Sequence, residues 1–164
     1  VKPVSTLSRP SVVLGGIAAL SLSAVAAALF TQHVWDMQPC PWCVLQRLIF
    51  AAIALAALLG LVWRSRAGFR ISAVLILAFS LAGVAAALWQ HFVAAASASC
   101  NQTLADRIIG ATGLDGTLPE IFQARASCAD AAVKLAGVPY EYWSLALFML
   151  MAVLALRGLL HPQR

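Results

Sequence analysis

Cys40-Pro41-Trp42-Cys43 sets two thiols at a spacing that closes a small, easily reopened disulfide ring. The motif stands where a polar segment runs into an apolar one, the expected head of a helix. There the helix dipole favours the thiolate, the form that attacks or donates electrons. Arg47 follows Cys43 by four residues, so on a helix it projects one turn deeper on the same face. A charge inside an apolar span costs roughly 2.5–3.5 kcal/mol on insertion scales. Two partners would repay its presence: the Cys43 thiolate, or the polar head of a cofactor held at the interface. The plainer alternative is that Arg47 snorkels toward water. His91 falls at a similar depth and is a candidate proton or hydrogen-bond donor to the same cofactor. Cys100 and Cys128 make a second thiol pair.

The elements that must position these residues are membrane spans. The chain has 164 residues, 62% of them hydrophobic and only 10% charged, where a soluble domain carries about 25% charged residues. Four apolar stretches, 12–30, 44–63, 71–89 and 142–160, each approach the roughly 20 residues that cross a bilayer as helix. They lack the alternation of barrel strands. The first, Val12 to Phe30, is longer than the 7–15 residues typical of a signal-peptide core and is read as a span. The net charge of +5 forms no basic face with interleaved aromatics, so no nucleic-acid partner is expected.

Charge placement orients the spans. Lys2, Arg9, Arg64, Arg66, Arg70, Arg157 and Arg164 lie in the termini and the 64–70 turn without an acidic residue among them. All acids, from Asp36 to Glu141, fall in the segments 31–43 and 90–141, which carry only Arg107, Arg125 and Lys134. By the positive-inside rule both termini are cytoplasmic and the loops 31–43 and 90–141 face outward. Trp35, Trp42, Trp63, Trp89 and Trp143 sit near span ends, where aromatic belts form. The expected fold is a single all-α membrane domain: an up-down bundle of four transmembrane helices, with a long outer loop containing short interfacial helices. In that loop Thr117-x-x-Glu120 resembles a capping box opening a helix with Leu118, Ile121 and Phe122 on one side. Asp130 to Ala136 is expected to add a turn or two of helix, stopped by Gly137 and Pro139. All four cysteines then face the outside, where thiols do not stay reduced by default. A Cys100–Cys128 disulfide is the first expectation. It would close a loop of about 28 residues, worth about 3–4 kcal/mol by chain entropy. Beside a C-x-x-C, such a pair can exchange electrons with it.

This combination resembles the bacterial disulfide bond formation protein B (DsbB) family over nearly the whole chain. The shared features are four spans, an outer C-x-x-C heading the second, Arg four residues after its second Cys, and a further Cys pair in the last outer loop. The resemblance implies a protein of the bacterial inner membrane with periplasmic cysteine loops. Its Cys100–Cys128 disulfide would oxidise a soluble thioredoxin-like partner of the DsbA type. Cys100 would form the mixed disulfide and Cys128 would resolve it. Electrons would pass to Cys40–Cys43, and Cys43 would deliver them to a quinone, ubiquinone or menaquinone, held near Arg47 and His91. A DsbA-type dithiol has a potential of about −120 mV, so its reoxidation needs an acceptor stronger than glutathione.

Two other functions compete. A membrane dithiol reductase similar to vitamin K epoxide reductase also uses C-x-x-C in a helical bundle. In that family, however, the motif follows the loop pair, whereas here it precedes it. A non-enzymatic subunit would use the four cysteines as staples or metal ligands, but no second C-x-x-C or H-x-x-H completes a zinc site. No metal is expected.

Overall fold

The computed structural model describes residues 9–96 and 102–160. Four long helices dominate it: α1 (Arg9–Val34), α2 (Pro41–Val62), α3 (Arg66–Trp89) and α7 (Tyr140–Leu160). All four are long and apolar enough to cross a membrane. Each outruns its apolar stretch at one end or both, as helical backbone must in lipid if its polar groups are to be satisfied. α3 starts at Arg66 rather than 71. It also runs past Trp89 into one π-helical turn, Gln90–Ala94, so His91 lies in helix instead of just beyond it.

Local chemistry explains the helix starts. Pro41 occupies the first turn of α2, where its missing N–H costs nothing. Cys40 is the N-cap, and its Sγ accepts the Cys43 N–H at 3.2 Å. Ser65 caps α3 by accepting the Gly68 N–H at 3.0 Å. Gly68 is obligatory there, since a Cβ would stand 2.2 Å from the Trp63 carbonyl oxygen.

α2 packs against both α1 and α3, and α3 packs closely on α7. The centre of the bundle holds Ile17, Ile53, Ile76, Phe148 and Met151, all fully buried. Phe148 stacks on Phe50 at 4.1 Å between ring centroids. It also lies over Gly83, where an added Cβ would meet its ring at 2.5 Å. A small residue admits the close approach of two helices, the usual device inside membranes. Outward-facing positions are apolar too, Leu20, Leu55, Leu59, Leu81 and Val153 among them. That is the surface of a protein solvated by lipid.

Between α3 and α7 lie α4 (Leu104–Thr112), the single turns α5 (Leu114–Thr117) and α6 (Pro119–Phe122), and a hairpin of β1 (Lys134–Leu135) and β2 (Val138–Pro139). α4 packs on α2, burying Ala105 and Ile109. Two sequence expectations are corrected here. The capping box is not at Thr117 and Glu120. The Thr117 hydroxyl donates to the Gly113 carbonyl at 3.0 Å, and Glu120 turns to Arg125. Pro119 moves the start of α6, because it favours the first helical position and keeps Leu118 out of helical backbone. The reciprocal box belongs to α4, where Thr103 and Asp106 cap each other's backbone N–H. Likewise, 130–136 is not helix beyond a turn ending at Ala131. Ala136 and Gly137 have φ of 53° and 82°, the conformation of a two-residue hairpin turn, so Gly137 reverses a β-ribbon instead of ending a helix.

Candidate active site

The segment carrying Cys128 is tied to the head of α2. The N–H groups of Arg125 and Ala126 both donate to the Pro39 carbonyl, at 2.9 and 3.3 Å. The Cys128 turn is closed by Ser127, whose Oγ donates to Asp130 Oδ2 at 2.6 Å and accepts the Asp130 N–H. This sets the Cys128 thiol beside the head of α2, where it interacts with the Cys40 thiol and the backbone N–H of Trp42. Both sulfurs are buried. Burial pushes the Cys40 thiol far up, and its contacts with Cys128 and Cys43 push it the same way. The Cys40 S–H held against Cys128 draws that thiol below its ordinary range, against the opposing effect of burial. The two effects run in opposite directions, so thiolate character is favoured on Cys128 over Cys40. Cys128 is a free thiol here, and the expected Cys100–Cys128 bridge involves a residue outside the described ones.

Cys43, one turn further, opens onto a different environment. It lines a cavity of about 750 Å³ together with Gln46, Arg47, Gln90 and Glu141. Ala24, Ala27 and Ala28 of α1 and Leu147 of α7 supply apolar walls. The size lies within the roughly 300–1,000 Å³ of small-molecule sites, and the pattern of apolar walls with a few convergent polar groups is typical of them. Arg47 does not snorkel. It is only 4% exposed, and its Nη1 donates to Gln32 Oε1 at 2.9 Å and to the Ile121 carbonyl. Its Nε is buried and has no partner among the described residues, and the residue lines the cavity. Gln90 Nε2 donates to Cys43 Sγ at 3.3 Å, and Gln46 Nε2 donates to Gln90 Oε1 at 2.6 Å. A thiolate at Cys43 would thus find an oriented amide donor and a guanidinium beside the same cavity.

His91 is not among the residues lining the cavity. Its Nδ1 lies 2.6 Å from Glu141 Oε1 and its Nε2 lies 3.0 Å from the Tyr142 hydroxyl. Glu141, 4% exposed, stands between His91 and the cavity. The structure thus brings together Cys40, Cys128, Cys43 and Arg47 and holds His91 one residue back. Gln32, Gln46, Gln90 and Glu141 are the polar residues that sequence reasoning passed over. The signal for the three glutamines was a neutral amide within or at the edge of an apolar helix, which is costly unless paired.

The chain is similar to known proteins over most of its length. The family model described as disulfide bond formation protein DsbB matches residues 10–157. The disulfide bond formation protein B of Herminiimonas arsenicoxydans is 36% identical over 150 residues, covering 91% of this chain and 93% of that protein. The protein of the same name from Aromatoleum aromaticum is 35% identical, covering 86% and 87%. Disulfide bond formation protein B 1 of Pseudomonas savastanoi pv. phaseolicola is 34% identical, covering 87% and 83%.

Proposed function

We propose a reaction for this chain, which belongs to the disulfide bond formation protein B (DsbB) family: it reoxidises a periplasmic DsbA-type dithiol protein and passes the electrons to a membrane quinone. The four helices form an up-down bundle in the bacterial inner membrane, with both termini cytoplasmic and the cysteine loops periplasmic. The seating of Cys128 against Cys40, with Cys43 alone of the three facing the cavity, is the observation that carries this reading.

The chemistry follows from that seating. A thiolate of the partner attacks Cys100 of the Cys100–Cys128 disulfide, forming a mixed disulfide and releasing Cys128 as thiolate. Cys128 is held as the better nucleophile against Cys40. Its attack on Cys40 of an oxidised Cys40–Cys43 pair forms a Cys128–Cys40 bond, breaks the Cys40–Cys43 bond and expels Cys43 as thiolate. That leaving group emerges beside Arg47 and receives the Gln90 amide N–H. The partner's second cysteine closes its own disulfide and expels Cys100 as thiolate. Cys100 then attacks Cys128 of the Cys128–Cys40 bond, which restores Cys100–Cys128 and releases Cys40, so the electron pair rests on Cys40 and Cys43.

The cavity fits a quinone. Its polar end is lined by Arg47, whose Nε–H is left unpaired, with Gln46 and Gln90, residue types that donate to a carbonyl oxygen, and its apolar walls suit a prenyl chain. A bound ubiquinone or menaquinone supplies an acceptor for two electrons and two protons as Cys40–Cys43 re-forms. Arg47 holds the acceptor's oxygen and favours the negative charge that develops there. Gln32 keeps the guanidinium aimed.

The test uses the purified protein in detergent, a reduced DsbA-type protein and ubiquinone, with quinone absorbance followed over time. Wild type reduces the quinone. Cys100→Ser loses reaction with the partner, whereas Cys43→Ser accepts the partner's electrons but leaves the quinone oxidised. A wild type inert with both ubiquinone and menaquinone would falsify the reading.

A further inference from the structure

Glu141 has no role in the scheme above, yet it is buried at the head of α7 and lines the cavity that Cys43 faces. One carboxylate oxygen, Oε1, lies 2.6 Å from His91 Nδ1, and among the described residues Oε2 takes no hydrogen bond. The His91 side chain is 28% exposed against 5% for that of Glu141. Its other nitrogen meets the Tyr142 hydroxyl at 3.0 Å, and the two rings lie 4.7 Å apart. A continuous hydrogen-bonded path therefore runs from a solvent-reached imidazole to a carboxyl group that lines the cavity. A static ion pair would need only the two charged groups. Here the imidazole is held through both nitrogens, the residue it bonds lines the cavity, and one carboxylate oxygen has no partner among the described residues, the geometry of a relay.

We propose that Glu141 delivers protons into the Cys43–Arg47 cavity and is recharged through His91 from water, with Tyr142 holding the imidazole in line. The inference rests on the quinone reading and adds to it the origin of the protons. In the balance, two electrons leave the Cys40 and Cys43 sulfurs as their disulfide closes, and the two thiol protons go to water. Glu141 gives one proton to a quinone oxygen, takes one from His91, gives a second, and is recharged by His91 once more. His91 is reprotonated from water after each passage, so the net proton count is zero. The groups that bear on the Glu141 carboxyl come from every surrounding element. α2 brings Arg47 and Cys43, α7 brings Tyr140 and Tyr142, and the π-turn brings His91. The loops bring Asp36, Arg125 and Asp130 to the same cavity, while Cys128 lies within electrostatic reach of Glu141. α1 contributes no titratable side chain to the wall.

The experiment compares wild type, Glu141→Gln and His91→Asn as full-length protein in detergent. It measures binding of a short-chain ubiquinone, quinol formation against pH, and the infrared difference spectrum on reduction. Glu141→Gln keeps the carboxyl's shape without its proton. It should bind quinone and exchange disulfides with the partner normally, yet form quinol about 100-fold more slowly, the usual worth of a general acid. Wild-type quinol formation should change with pH, and the variant's profile should be flat. The wild-type spectrum should contain a carboxylic C=O band that disappears in Glu141→Gln. His91→Asn should keep that band but slow its return after turnover. Quinol formation by Glu141→Gln at the wild-type rate, or a wild-type spectrum without the band, overturns the relay. If Glu141→Gln does not fold, His91→Asn carries the test: a band that returns after turnover at the wild-type rate in His91→Asn also overturns the relay. A wild type that reduces no quinone removes the thiol:quinone reading itself, a result distinct from both.

Discussion

Cys40 and Cys43 are three residues apart and occupy opposite environments. Cys40 is sealed under the loop, touching Cys128 and the start of α2, with no exposure. Cys43 is half-buried and looks onto a cavity walled by α1, α2 and α7. One turn of helix thus separates a pocket built for sulfur–sulfur exchange from a chamber built for a small acceptor. The comparison teaches how a single C-x-x-C joins two chemistries. The N-cap position faces the loop and the first-turn position faces the interior of the bundle, so electrons entering at one sulfur leave at the other.

The comparison breaks most completely at Cys40. Cys40→Ser removes the atom through which the two regions communicate, and turnover with the dithiol partner should fall to background while quinone binding persists. Binding measured by tryptophan quenching, alongside turnover, checks both halves. Next comes Arg47→Leu, which should lower kcat/KM for quinone by about 100-fold, as loss of a charge-stabilising donor does. Thiol exchange with the partner should be much less affected, since Arg47 lines the cavity and is not among the groups that touch Cys40 or Cys128. Gln90→Leu should slow alkylation of Cys43 about tenfold, from loss of a hydrogen bond to a charged sulfur worth roughly 1.5–3 kcal/mol. Cys128 alkylation should be untouched by that change.

The smallest effect concerns pH. Cys128 is held below the ordinary thiol range chiefly by the Cys40 S–H, so its thiolate persists at pH values where an ordinary thiol is protonated. Cys40→Ala removes that donor, raises the Cys128 pKa and moves its alkylation profile to higher pH. At neutral pH the Cys128 rate should therefore fall. An unchanged profile would show that the Trp42 N–H, not Cys40, sets the thiolate.

Much of this was legible along the chain because it is encoded locally. Helix length and hydropathy marked the four spans, and Pro41 after Cys40 marked the head of α2. The four-residue step from Cys43 placed Arg47 on the same helical face. The loop was less legible. Pro119 overrode the apparent box at Thr117, and the paired positive φ at Ala136 and Gly137 made a hairpin where a helix end was expected. His91 was expected at the cofactor and proved to stand behind Glu141, because the added residue of a π-turn alters which side chains face inward.

By itself, then, the amino-acid order determined that this chain has four helices for lipid and a redox-capable dithiol at the head of the second. Both follow from hydrogen bonding and apolar transfer within a few neighbouring residues. Only the tertiary structure decided that Cys128 meets Cys40, that Gln90 serves Cys43 and that Glu141 faces the cavity. Each joins residues dozens of positions apart, through bonds such as those from Arg125 and Ala126 to Pro39, and no local pattern carries the register of a loop docking on a bundle.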